Sequence, residues 1–212
     1  MQDRFSSSRL EAFSDGVFAI AATLLVLEIS VPENGFDDLW QAIRDEWPSY
    51  LAYTTSFFTI AGLWAAHHGL FRRLETADGT IMRLNLLLLW AVAFLPFPTM
   101  LTAEALRRED DAPERTAVLF YGATLLLISV VITVMTVYVA RHREVLRDGV
   151  TMDELQRLNR RTRPTPAFYA AILILALLAP RAAVWMFLVV ALTSVLIPDR
   201  PRGEHRRQTP RE

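Results

Sequence analysis

An all-α integral membrane fold is what this sequence predicts, and three observations carry it. Hydrophobic residues make up 52% of the 212, with twelve Phe and five Trp. The mean hydropathy of +0.26 is high for a soluble domain. Charge is confined, leaving uncharged runs at 48–71, 84–103, 116–140, 164–180 and 182–198. Their lengths of 24, 20, 25, 17 and 17 residues match the roughly 17 to 25 that cross a hydrocarbon layer. Five such runs leave no polar face for water, which argues against a soluble bundle. Finally, all 22 basic residues are Arg, and 17 of them fall before the first helix, in the second and fourth connections, and after the last helix. By the positive-inside rule these segments are cytoplasmic, so both termini face inward and the number of crossings is even. With the apolar helix at the start of the chain, six spans are expected, at about 9–31, 48–71, 83–103, 115–140, 164–180 and 182–198. Residues 1–198 form one multi-pass domain of the inner (plasma) membrane.

The first helix is the unusual one. In FSDGVFAIAATLLVLEI, residues 13–29, Asp15 and Glu28 bracket twelve uncharged residues. These cover roughly 18 Å, well short of the roughly 30 Å of a bilayer core. No small-residue cleavage site follows Arg4 and Arg9, so this segment is expected to be retained rather than removed as a signal peptide. On a helical wheel of about 100° per residue, with Asp15 at zero, Thr23, Gly16, Leu27 and Ile20 lie at about 80°, 100°, 120° and 140°. Asp15 shares its line with Phe18, Ala22, Val26 and Ile29 instead.

The remaining segments read as supports. In the acidic loop 33–46, Phe36, Leu39, Trp40 and Ile43 recur at helical spacing, predicting a short amphipathic helix at the outer surface. The second helix carries Trp64, His67 and His68, and the third carries Asn85 and a Pro96/Pro98 pair that predicts a kink near its outer end. The connector 141–163, with seven Arg and four acids, predicts a helix over 151–161 with Thr151 and Glu154 as a capping box. Its Arg residues suit anionic lipid headgroups better than nucleic acid. The last two helices form a tight hairpin at Ala179, Pro180 and Arg181, and both read as lipid-facing scaffold. The tail 199–212 is Pro-rich and charged, which predicts cytoplasmic disorder.

Ionisable or polar groups at membrane depth are costly and normally have partners. They are Arg9, Ser14, Asp15 and Glu28 on the first helix, Trp64, His67 and His68 on the second, and Asn85 on the third. Asp15, the His pair and Asn85 fall at similar depth near the cytoplasmic end, so a hydrogen-bonded cluster is possible. No catalytic triad, phosphate loop or metal-ligand set is present, and there is no cysteine. Adjacent His67 and His68 point about 100° apart and do not share a metal. Nothing here suggests an enzyme or a cofactor.

RLEAFSDGVFAIAATLLVLEI, residues 9–29, resembles the signature first helix of the transmembrane protein 175 family of potassium channels, in particular its bacterial members. Arg9, Phe13, Ser14 and Asp15 meet its Arg, three residues, Phe-Ser-Asp motif. LWAAHHGLF at 63–71 and RLNLLLLWAVAFLPFPT at 83–99 are similar to its second and third helices. The resemblance implies a six-helix subunit with no pore loop, four copies of which surround a central pore lined by the first helices. Carried over by motif position, Ile20 is the pore constriction, with Thr23 and Leu27 further along the path. Arg9, Phe13, Ser14 and Asp15, with Trp64, His67 or His68, and Asn85, form the structural polar network. Glu28 lies at the outer mouth. The implied function is passive, modestly selective potassium conduction by a homotetramer, with potassium as permeant ion and lipids as surroundings. The rival reading is a proton-coupled transporter or proton-conducting channel using Asp15 and the His67/His68 cluster.

Overall fold

The computed structural model describes residues 5–30, 33–108 and 110–196. The tail expected at 199–212 lies outside the described residues. Helices dominate: α1 (Ser7–Leu24), α2 (Leu39–Asp45), α3 (Trp47–Phe71), α4 (Gly79–Phe94), α5 (Pro96–Arg108), α6 (Asp111–Arg141), α7 (Met152–Thr162), α8 (Thr165–Leu178) and α9 (Pro180–Leu196). A two-residue ribbon pairs β1 (Phe5–Ser6) antiparallel with β2 (Thr76–Ala77).

Among the described residues, three helical stretches combine the length and hydropathy of a membrane span: α1 with its 3-10 continuation (Ser7–Glu28), α4 with α5 (Gly79–Arg108), and α6. The other expected crossings differ for identifiable reasons. At 25 residues α3 is long enough, but Ser, Thr, Tyr, Trp and His interrupt its apolar run. At 14 and 17 residues, α8 and α9 are short.

The α4–α5 junction follows from chain chemistry. Pro96 and Pro98 have no N–H for the carbonyls four residues back, so α4 ends at Phe94 and α5 starts at Pro96. The Leu95 N–H closes a tighter turn on Val92 O at 3.1 Å. Thr99 Oγ1 then donates to Leu95 O at 2.8 Å and meets Ser56 Oγ at 2.7 Å, and Ser56 meets Tyr121 Oη at 3.0 Å. A buried hydroxyl chain thus joins α3, α5 and α6.

Both ends of the bundle are fastened. At the amino-terminal end, Ser7 Oγ donates to Leu74 O at 3.0 Å, and the Arg147 N–H donates to Arg73 O at 2.9 Å. Asp78 caps α4 by accepting from the N–H groups of Thr80 and Ile81, both at 2.9 Å, and from Tyr138 Oη at 2.8 Å. Burial alone would raise the Asp78 carboxyl. The bonds from Ile81, Tyr138 and Thr80, with His142 nearby, outweigh it and hold the group below the usual carboxylate range. At the opposite end, buried Glu46 accepts from Arg107 at 3.0 Å and Ser49 at 2.9 Å, and buried Glu114 accepts from Arg181 at 3.0 Å.

The acidic loop does contain a short helix, α2, capped by Asp38 accepting from the Gln41 N–H at 3.1 Å. It buries no residue. At the expected capping box, Thr151 Oγ1 accepts from the Glu154 N–H at 3.4 Å. The Glu154 carboxylate instead lies 3.7 Å from Arg73 Nε. One expectation is corrected: neither helix of the hairpin is simply lipid-facing, since α8 buries Tyr169, Ile172 and Ala176 and α9 packs into the bundle as well. It buries Ala183, Val184, Phe187 and Ala191 and runs against α3, where a side chain on Gly62 would collide with Ser194. Uniform apolarity hid this face, because a helix with no polar side shows no preferred direction in its sequence.

Candidate site on the first helix

The packing of α1 divides it into two halves. Ser7, Ser14, Phe18, Ala21 and Leu25 are buried, and on the wheel they cluster at about −60° to −120°. The opposite side is open. Ile20 is 61% exposed and Leu27 72%, with Gly16 and Thr23 also exposed, so this stripe lies at the centre of the open arc. Only 22% of the apolar window of α1 is buried, against 56% for α4 with α5 and for α6. Thr23 Oγ1 donates to Ile20 O at 2.9 Å, which leaves its lone pairs directed outward. Leu27 lies in the 3-10 turn Leu25–Glu28. There each residue advances about 120°, which moves Leu27 off the straight line while keeping it on the open side. Glu28, half-buried, ends that turn.

The closed half of α1 carries a polar cluster. Asn85 is its hub: Nδ2 donates to Ser14 Oγ at 3.0 Å, and Oδ1 lies 2.8 Å from His67 Nε2. Ser14 Oγ also donates to Leu10 O at 2.8 Å. An amide oxygen only accepts, so His67 carries its proton on Nε2. The His67 ring is held between Phe18 and Phe71, with centroids at 5.4 Å and 4.2 Å, and its Nδ1 has no partner among the described residues.

A second, more exposed cluster lies beside it. Trp64 Nε1 donates to Asp15 Oδ1 at 2.9 Å, and the indole stacks on His68 at 5.4 Å. His68 Nδ1 is 2.9 Å from Glu11 Oε1. The two histidines therefore serve different partners, His67 the Asn85 hub and His68 the carboxylate of Glu11. Sequence reasoning missed Glu11. Its spacing of four residues from Asp15 was the available signal, since residues four apart share a helix face. Within one chain Arg9 is exposed and forms no ion pair with a described residue. Phe13 is 56% exposed on the open side. Among the described residues no group of three or more potential ligands is placed to hold a metal.

Known proteins resemble this chain in sequence and in overall fold. Residues 9–96 match the family model described as endosomal/lysosomal potassium channel TMEM175. A potassium channel of Chamaesiphon minutus is 35% identical over 193 residues, covering 90% of this chain and 94% of that protein. A potassium channel of Streptomyces collinus is 50% identical over 115 residues, covering 54% of this chain and 55% of its own length. The endosomal/lysosomal proton channel TMEM175 of Danio rerio is 38% identical, and the match covers only 27% of it. Among solved structures, a lysosomal potassium-selective channel TMEM175 homolog from Chamaesiphon minutus superposes with a TM-score of 0.79 at 35% identity. That match covers 90% of this chain and 96% of the other.

Proposed function

This chain belongs to the TMEM175 family, and from that premise we propose that it is a passive cation channel permeable to potassium, formed by four copies around a central pore lined by α1. The observation that carries the proposal is the division of α1. A helix rich enough in apolar residues to cross a membrane leaves most of its surface uncovered within its own subunit, and Gly16, Ile20, Thr23 and Leu27 lie at the middle of the uncovered side. Partners from neighbouring copies would cover its flanks and leave that stripe on the axis.

In this reading the subunit crosses the plasma membrane six times, with both termini in the cytoplasm and residues 1–198 forming the channel domain. Four Ile20 side chains narrow the path to an apolar ring that must wet before an ion passes. Thr23, its hydroxyl already donated to a backbone carbonyl, presents oxygen lone pairs to a partly hydrated cation. Potassium gives up its water shell more cheaply than sodium, so selectivity is modest without a cage of carbonyls. Leu27 lines the next level, and Glu28 draws cations to the outer mouth. Ser14, Asp15, Trp64, His67, His68 and Asn85 set the rotation of α1 rather than touching the ion, and Arg9 and Phe13, exposed in the single subunit, join that network at the contact with a neighbouring copy.

The test is purified protein in liposomes under a potassium gradient. Unsaturable, uncoupled potassium flux that changes strongly in Ile20→Ala is the expected result, and Thr23→Ala lowers the potassium-to-sodium ratio. A stable monomer, or flux indifferent to Ile20, refutes the pore. A second reading, proton passage, draws on the half-exposed Asp15, Trp64, His68 and Glu11 cluster. Strict proton coupling lost in Asp15→Asn would favour it.

A further inference from the structure

Among the described residues, the arginines at one end of the bundle have side-chain partners except the exposed Arg115, whereas at the other end only Arg73 and Arg147 are ion-paired. At the end that carries Glu46 and Glu114, Arg107, Arg108 and Arg181 are ion-paired, and Arg44 lies over the Trp40 ring at 5.4 Å. At the amino-terminal end, Arg141, Arg143, Arg157, Arg160 and Arg163 are exposed, and none makes an ion pair with a described residue. The last three belong to α7 and its C-cap. Leu155, Asn159 and Thr162 bury one side of α7, and Arg157 and Arg160 lie on the other. Asp153 shares that side, and Glu144 and Asp148 lie in the preceding segment. Residues 141–163 still carry seven Arg against four acids.

Position gives these charges a partner. Arg163 is followed almost at once by α8, whose Phe168 is 59% exposed and whose Ile174 and Leu177 continue an open apolar wall. Exposed arginines on the short helix that leads into such a wall suit a lipid whose acyl chains lie on the wall and whose phosphate meets the guanidinium groups. We propose that Arg157, Arg160 and Arg163 form a docking surface for anionic phospholipid headgroups of the leaflet at the amino-terminal end. This rests on the membrane-spanning reading of the bundle. Docking there bears on the pore helix, because the connector is hydrogen-bonded through Arg147 to Leu74 O, which also accepts from Ser7 at the start of α1.

The experiment adds phosphatidylglycerol and phosphatidylcholine with matched acyl chains to the full chain purified in mild detergent, and counts retained lipid by native mass spectrometry. Wild type retains phosphatidylglycerol in excess. The preference falls roughly fivefold for each arginine removed among Arg157→Gln, Arg160→Gln and Arg163→Gln. Arg115→Gln at the opposite end leaves it unchanged. Raising the salt erodes the wild-type preference, a readout that needs no variant to fold. Equal retention of the two lipids, a preference indifferent to salt, or one lost in Arg115→Gln overturns the docking surface. Alkaline carbonate extraction of native membranes separates the two readings. A chain released by carbonate overturns the membrane reading and the docking together, whereas one that stays embedded without lipid preference overturns the docking alone.

Discussion

Asn85→Ala removes the amide that ties α1, α3 and α4 together. The residue is fully buried, and its two good bonds run to His67 Nε2 at 2.8 Å and Ser14 Oγ at 3.0 Å. Interhelical side-chain bonds inside membrane proteins average about 0.6 kcal/mol, so the pair contributes about 1.2 kcal/mol. The substitution also strands the His67 ring. Its Nδ1 already lacks a partner among the described residues, and losing the acceptor on Nε2 leaves a buried donor unmet, which raises the total cost to about 2–3 kcal/mol. Ser14 loses less, because its hydroxyl keeps Leu10 O at 2.8 Å. The measurement is unfolding in mixed micelles for wild type, Asn85→Ala, Ser14→Ala and the double variant. A coupling of about 0.6 kcal/mol between the two sites is expected. A cost for Asn85→Ala below about 0.5 kcal/mol, or strict additivity, would show that the hub does not hold α1 in place.

Two further substitutions probe the frame. Asp78→Ala strips the α4 cap and should cost about 1–2 kcal/mol near neutral pH. Because the folded-state carboxyl is held below its ordinary value of about 3.9, this stability is present above that pH and is lost as pH falls through the folded value. Melting temperatures of wild type and variant should therefore converge in acid, and a gap independent of pH would contradict the assignment. Gly122→Ala brings a methyl within 2.7 Å of Leu173 Cδ2 and 2.8 Å of Phe187 Cζ, overpacking the contact of α6 with α8 and α9. A loss of about 1–3 kcal/mol by the same unfolding assay is expected, and an unchanged melting temperature would mean that the hairpin shifts freely.

Much of the helix layout was legible because uncharged runs between Arg-rich loops are a strong and local signal. The break between α4 and α5 at Leu95 was legible for the same reason, since a proline's missing N–H acts within its own helix. The stripe of Ile20, Thr23 and Leu27 was readable from the wheel, but the 3-10 tightening at Leu25–Glu28 was not, because no glycine or proline marks it. The partners of the two histidines lay beyond reach for another reason. Which imidazole meets Asn85 depends on the rotation of α3 against α4, and a one-residue step along α3 turns that choice by about 100°. Nothing in the sequence marks Glu46 with Arg107 or Glu114 with Arg181, yet both carboxylates are buried against distant partners.

The contact of Gly62 on α3 with Ser194 on α9 joins residues 132 positions apart. At about 5–20 residues per second of synthesis, α3 waits roughly 7 to 26 s for the helix that covers it. During that interval its glycine groove is open to any other helix in reach. Biogenesis of this subunit thus has a late closing step, and a chain cut short before Pro180 leaves the Gly62 face of α3 uncovered.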